Sequence, residues 1–336
     1  MSIIYSIISA KDPHLSLGFL NRIRKHYLSD ITNKFHFMSN YCIDHRINST
    51  IFTGDIFDHS EEDKWSFKKY RLHKRFLEDY KHKSGTSIHS NVGNHDMFFG
   101  YEESDETVFG EMVYEGVINN ITINPIQRLG LGIYGVDFSN DKDKIFQKLL
   151  EINNTNDKYK VAILHSNIAH NKKEDDKIID FSYEHLAESF KNIDMFICGH
   201  YHVGYPSTDF LRTNGTICKF INNWNLTRVV RDYETKLDEH TPEFEHIIFR
   251  EVDGQIIAEN KTVQIPFIKF DDAFIADNII FNKKSGQELF NFFEDRNINE
   301  LVDQKDKTDI ELISEIVEKH QYSVEAQTEA LNYLNK

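Results

Sequence analysis

In the stretch Ser87-Ile88-His89-Ser90-Asn91-Val92-Gly93-Asn94-His95-Asp96, a short strand-like run, 87–92, stops at a glycine. It hands over to three side chains able to bind a metal or move a proton. Glycine suits a sharp turn and close backbone approach. The amide, imidazole and carboxylate behind it are donors to a divalent cation or partners in acid–base chemistry.

The same event recurs on both sides of this stretch. Towards the start, the apolar run 3–9 is followed by Asp12-Pro13-His14, and the strand-like run 49–53 ends at Gly54-Asp55. Further on, 159–164 runs into His165, and 195–198 runs into Gly199-His200-Tyr201-His202. Short apolar runs bounded by turn residues read as buried strands. Helix-like stretches lie between them at 18–47, 61–80, 142–152 and 183–190, with further strands at 121–123 and 132–136. Strands alternating with helices predict an α/β architecture. From Gly215 the chain turns β-rich, at 217–221, 244–252 and 255–265, with Asp253-Gly254 as a hairpin signal.

In an open α/β sheet, side chains at the carboxyl ends of strands project into one crevice. Five separate turns can therefore surround one point. Two divalent cations about 3.5–4 Å apart can clamp the attacking and leaving oxygens of an in-line displacement at phosphorus. Ions that close need a bridging carboxylate, for which Asp55 is the candidate. Asp12, His14 and His202 complete one ion; Asn94, His165 and His200 complete the other. Mixed imidazole, carboxylate and amide donors suit Mn²⁺, Fe²⁺ or Zn²⁺ rather than an all-oxygen Ca²⁺ or Mg²⁺ site. His95 is expected to protonate a leaving oxygen or stabilise transition-state charge, and Asp96 to orient it by accepting a ring N–H. His26, His36, His45, His73, His89 and His240 belong to no such pattern and read as surface or packing residues.

The ordered set D-x-H, G-D, G-N-H-D, H and G-H-x-H resembles the calcineurin-like metallophosphoesterase superfamily over about residues 1–230. The resemblance implies an α/β (α+β) fold, a four-layer β-sandwich flanked by helices, holding a binuclear centre. It makes Asp12, His14, Asp55, Asn94, His165, His200 and His202 metal ligands and His95 the catalytic histidine. Within the superfamily, Gly54-Asp55-Ile56-Phe57-Asp58 is most similar to the SbcD-type DNA repair and recombination exonucleases, including phage relatives. That likeness implies two Mn²⁺ ions, DNA as substrate, an SbcC-type coiled-coil ATPase as partner, and work in a bacterial cell or phage-infected host. The sequence departs from that branch in several places. Asp58 stands where some members have a histidine, Leu15-Ser16 replaces a glycine-containing turn, and Asn222-Asn223-Trp224-Asn225 replaces an N-P-G-S-like turn. The region after Phe267 is too short for the capping domain of larger relatives.

A nuclease domain is thus expected over 1–266, and a C-terminal helical segment over 267–336 with helices at 287–295, 309–320 and 323–334. Ile310, Leu312, Ile313, Ile316 and Val317 form an apolar stripe at helical spacing, as do Ala326, Ala330, Leu331 and Leu334. These stripes either pack on the parent domain or dock on the ATPase coiled coil. A homodimer stays open.

Bulk properties bound the choice. The 336 residues carry a formal net charge of −15, so non-specific coating of DNA, which draws on Lys and Arg, is not expected. The run Lys64, Lys68, Lys69, Arg71, Lys74 and Arg75 is locally basic, either a path for DNA or a solvated face. The alternative reading from the charge is a phosphoprotein phosphatase or small-nucleotide phosphodiesterase of the same superfamily. Cys42, Cys198 and Cys218 are too few and too irregularly spaced for a disulfide framework and suit a reducing cytoplasm. Residues 1–10 lack the basic start of a signal peptide, and no run is long enough to span a bilayer. A soluble protein with no membrane partner is expected.

Overall fold

Strand β1 (Ser2–Ala10) shows why this sequence makes a layered structure: Ile7 and Ile8 point to opposite faces, and both are fully buried. A strand apolar on both faces must be covered on both. The computed structural model describes residues 2–17, 27–58, 67–97, 107–170, 179–227 and 241–268. The chain divides into two units, Met1–Leu20 with His26–Ile268, and Asn21–Lys25 with Lys269–Lys336. The expected helices at 287–295, 309–320 and 323–334 lie outside the described residues.

Beside β1 lie β2 (Ser49–Phe52), β3 (Ser87–Ser90) and β4 (Asn119–Asn120), all parallel. On its other side run β13 (Glu243–Val252) and β14 (Gln255–Gln264), antiparallel, completing a six-stranded sheet in the order β14-β13-β1-β2-β3-β4. A second six-stranded sheet contains β5 (Ile126–Arg128), β6 (Leu131–Val136), β7 (Tyr159–Ser166), β10 (Met195–His200), β11 (Tyr205–Leu211) and β12 (Ile217–Asn222). Its order is β11-β12-β10-β7-β6-β5, with β6, β7, β10 and β12 parallel. A small pair, β8 (Ile168–Ala169) and β9 (Phe181–Ser182), stands apart.

Three apolar clusters glue the layers. The inner one is mostly isoleucine: Ile7, Ile51, Ile163, Ile197, Ile221 and Ile247 pack between the two sheets with Val161, Met195 and Phe249. β-Branched side chains fit a pleated surface. On the outer face of the first sheet, Ile8, Phe52 and Ile88 meet helices α1 (Tyr27–His45), α2 (Phe67–Ser84) and α3 (Val108–Tyr114). Helix α1 contributes Ile31, Phe35, Met38 and Cys42, one stripe at helical spacing. On the outer face of the second sheet, Ala162, Leu164 and Phe196 meet α4 (Lys142–Asn153) and α5 (Tyr183–Ser189). Helix, sheet, sheet, helix: the expected four-layer sandwich is present in the described residues.

Local differences from the sequence expectation have local causes. The run at 121–123 is not a strand; pairing falls one step earlier, at Asn119–Asn120. The Asn120 side chain accepts the Thr122 amide (2.9 Å), an Asx turn that bends the chain out of the sheet. Helix α2 runs on to Ser84 and stops before Gly85, whose φ is +67°. The hairpin at Asp253-Gly254 is there, both residues at positive φ. No described helix is long and apolar enough to cross a membrane, and all three cysteines are buried thiols.

Candidate metal centre

The parallel strands of both sheets end at one rim, and the turns beyond them carry the chemistry. Asp12 and His14 follow β1, Asp55 follows β2, and Asn94 opens a single 3-10 turn, Asn94–Asp96, after β3. From the other sheet, His165 lies near the end of β7, and His200 closes β10 with His202 just beyond.

Backbone geometry marks the same residues. Asp12, His14, Asp55 and His200 all have φ between +41° and +77°. Such left-handed conformations are costly for residues with a Cβ and cluster at functional sites. The turns interlock: the His14 amide donates to the Asp55 carbonyl (2.9 Å) and the Leu15 amide to the Ile56 carbonyl (2.7 Å). Gly93 must be glycine because a Cβ there would collide with the Asp55 carboxylate and amide.

Side chains of seven residues converge. The Asp55 Oδ2 lies 3.2 Å from His165 Nε2 and 3.6 Å from His14 Nε2. His14 Nε2 is 3.2 Å from His202 Nε2, and His202 Nε2 is 3.9 Å from Asp12 Oδ2. Asn94 Oδ1 is 3.1 Å from His165 Nε2, and the His165 and His200 ring centroids are 4.9 Å apart. Three donor groups lie close enough to hold an ion: Asp12 with His14 and His202, Asp55 with His165 and His200, and His14 with Asp55 and His95. The first two are the sets expected from the sequence, Asn94 standing beside the second. The third places His95 among donors as well. Hard carboxylate oxygens with borderline imidazoles fit first-row divalent cations.

The electrostatics fit a centre that needs cations. Burial alone would raise the Asp55 carboxyl, but His165, His14 and His95 outweigh it and hold Asp55 well below the usual carboxylate range. Burial pushes Asp12 up to about 6, against the pull of His165 and Lys11. Burial would lower His165, yet Asp55 and Asp12 raise it to about 9. Geometry agrees: His165 Nδ1–H donates to the Thr53 carbonyl (2.6 Å), while Nε2 faces Asp55 and Asn94 oxygens. Both ring nitrogens meet acceptors, so without metal the ring keeps a proton where an ion would sit. Burial lowers His200 to about 3; partial burial, with the charge of Lys11, lowers the more exposed His202 as well, so both favour the neutral form that ligates.

One expectation is corrected. Asp96 does not orient the His95 ring. Its Oδ1 accepts the Phe57 amide (3.1 Å), and its Oδ2 accepts the Ile56 (3.3 Å) and Gly93 (3.1 Å) amides. In a 3-10 turn consecutive side chains point about 120° apart, so Asp96 turns inward, fully buried, while His95 stays at the rim. Burial, with Asp55 nearby, raises the Asp96 carboxyl to about 7. The His95 ring is held instead by its Nδ1–H donating to the Asp58 carbonyl (3.0 Å), and its main-chain N–H donates to Asp55 Oδ1 (2.8 Å).

Several supporting residues were not legible beforehand. Thr53 acts through its carbonyl on His165 and through its hydroxyl on Asp12 Oδ1 (3.2 Å); main-chain acceptors leave no trace in sequence. Asp58 Oδ1 lies 3.6 Å from His14 Nδ1. His73, read as a packing residue, is fully buried and accepts the Leu17 amide (2.8 Å), bracing the turn after His14. Phe138 sets its ring 5.1 Å from that of His200.

No curated protein matches the chain. The family model for calcineurin-like phosphoesterases does, over residues 12–204, opening on Asp12 and ending just past His202. That span exceeds half of the chain and takes in all seven converging residues, so the chain belongs to the calcineurin-like phosphoesterases, metal-dependent hydrolases of phosphoesters.

Proposed function

We propose that this chain is a metal-dependent DNA exonuclease/endonuclease subunit, acting with two Mn²⁺ ions and an SbcC-type coiled-coil ATPase in recombination or DNA-end processing. The observation that carries the two-ion part is Asp55: one carboxylate oxygen faces His14 on one side and His165 on the other. Asp12, His14 and His202 would hold one ion, and Asn94, His165 and His200 the other, with Asp55 between. When bound, the ions supply Lewis acidity at the phosphoryl oxygens and an activated nucleophile near neutral pH.

The chain's own residues do the rest. Asp55, already ionised, needs no proton removed before it can bridge. His95, with its Nδ1–H fixed on the Asp58 carbonyl, offers Nε2 for proton transfer at the leaving oxygen. The choice of DNA rests on the likeness of Gly54-Asp55-Ile56-Phe57-Asp58 to the SbcD-type branch. Helix α2 adds exposed Lys68, Arg71 and Arg75 in an otherwise acidic chain, while Lys74 is occupied by Glu115 (2.8 Å). The ATPase contact is assigned to the apolar stripes at 310–317 and 326–334, outside the described residues. The net charge of −15 favours the second reading, a phosphoprotein phosphatase or small-nucleotide phosphodiesterase.

The deciding assay offers purified protein and Mn²⁺ end-labelled single- and double-stranded DNA, a nitrophenyl phosphodiester and a phosphopeptide, with and without the ATPase. A nuclease cuts the DNA, loses turnover in Asp55→Asn, and loses its response to the ATPase when residues from Asp309 onward are deleted. Hydrolysis of the phosphopeptide or small diester with intact DNA left untouched supports the second reading instead.

A further inference from the structure

Lys11 is 2% exposed and sits next to Asp12, yet no carboxylate among the described residues lies within ion-pair distance of it. Its ammonium instead donates to the Tyr201 carbonyl and to Asn222 Oδ1 (2.6 Å). A buried charge is costly unless its hydrogen bonds are made; Asp12 and Glu243 favour this one from beyond ion-pair distance, while both direct acceptors are neutral. What the two acceptors share is position. Tyr201 stands between His200 and His202, and Asn222 closes β12. Asn222 Nδ2 in turn donates to the Ile168 carbonyl (3.1 Å), three residues past His165, and the Leu226 amide donates to the Lys11 carbonyl (2.7 Å). The turns after β1, β7, β10 and β12 are thereby joined through one side chain and its partner.

Building on the metal centre read above, we infer that Lys11 is the positioning residue for His202, and so for the ion shared by Asp12, His14 and His202. The peptide bond is planar, so a hydrogen bond that fixes the Tyr201 carbonyl also fixes the His202 amide and places the Cα from which its imidazole reaches the ion. His202 needs such a device. Its side chain is 38% exposed, whereas Asp12 and His14 are wholly enclosed. The His200 amide donates to Asp12 Oδ2 (2.9 Å), which ties the near end of the same turn to β1; Lys11 ties its far end. Full burial bars Lys11 from reaching a substrate phosphate, which excludes the role of an electrostatic clamp.

The test is Mn²⁺ titration, by calorimetry and electron paramagnetic resonance, of wild type, Lys11→Met and Asn222→Ala. Methionine keeps the length and removes both donors. Wild type is expected to bind two ions. Lys11→Met should bind one as tightly as wild type and the other about 10–100-fold more weakly, the usual effect of losing a group that orients a ligand. Its turnover should recover when Mn²⁺ is raised, a response that a merely structural defect would not give. Asn222→Ala, which leaves the charge in place, should weaken the same ion by a smaller factor. Should Lys11→Met lack a cooperative metal-free melt, Asn222→Ala carries the test alone. Two ions bound at wild-type affinity in the folded variant overturn the role of Lys11 and leave the centre standing. A wild-type chain that takes up no Mn²⁺ overturns the centre and this role with it.

Discussion

His14 Nε2 and His202 Nε2 lie 3.2 Å apart, their rings edge to face at 86°, although one follows the first strand of one sheet and the other follows a strand of the opposite sheet. Two neutral imidazoles aimed at each other can share one proton at most. A cation lets both nitrogens act as donors of electron pairs at once. The contact between sheets is therefore one that metal should strengthen.

Mn²⁺ is accordingly expected to raise the melting temperature of the wild-type protein, and EDTA to reverse the rise. The increment should shrink in both His14→Ala and His202→Ala. The two variants should differ without metal: His14 is enclosed and its loss opens a void costing about 1–3 kcal/mol, while half-exposed His202 contributes little. Equal metal-dependent increments in all three proteins would remove this pair from the centre. Calorimetric melts with and without Mn²⁺ make the comparison.

The proton on His165 gives the binding its pH dependence. Asp55 and Asp12 raise its folded pKa to about 9, above its ordinary value of 6.5, so at pH 7 the metal-free ring is charged. An incoming ion must displace that proton. The sign follows: Mn²⁺ affinity should rise as pH rises towards 9, by about tenfold per unit for one displaced proton, and level off above it. In the metal-free protein the same group acts oppositely. Its contribution to stability is fully present below pH 6.5 and is lost as pH rises through about 9. Titrations in buffers of different ionisation enthalpy should report a released proton at pH 7. His165→Gln should abolish that release.

Gly93 offers a steric test. Its backbone, at φ −94° and ψ 172°, is one that any residue adopts, so the obstacle to alanine is steric: the new methyl would run into the carboxylate and amide of Asp55. Overpacking of this kind costs about 1–3 kcal/mol of stability. A shift of about 1 Å in a reacting constellation costs about 10²-fold in rate. Gly93→Ala should therefore stay folded, with a cooperative melt, while turnover falls by about two orders of magnitude or more. Near-normal turnover would mean that Asp55 tolerates displacement and does not bridge.

How much of this was legible in sequence depends on what each residue does. Asp12, His14, Asp55, Asn94, His165, His200 and His202 were legible because each ends or follows a strand-like run, and strand ends meet at a rim. The apolar runs 3–9 and 159–164 disclose buried strands. Strand β11 was hidden because Pro206 argues against a strand; it is tolerated at the sheet edge, where an amide hydrogen is dispensable. Asp96 was misread because adjacency in sequence suggested contact with His95, whereas a 3-10 turn sends neighbours apart. Lys11 stayed invisible because its acceptors come from distant turns, and Thr53 because it acts on His165 through its own main-chain carbonyl.

His95 carries the sharpest of the remaining questions, since it stands both among the donors and at the rim. Its Nδ1–H is committed to the Asp58 carbonyl, so only Nε2 is left, and one nitrogen cannot at the same time hold a metal and exchange a proton. The two roles part in His95→Ala. A proton-transfer residue should leave both Mn²⁺ ions bound at wild-type affinity while turnover falls by about 10²–10⁴-fold. The loss should be smaller for a substrate whose leaving group, such as nitrophenolate, departs without a proton. A ligand should instead lose Mn²⁺ affinity in the titration, with equal loss of turnover on both substrates. We expect the first pattern: Asp55 and His14 already face donors at 3.2 Å in His165 and His202, so neither ion depends on His95.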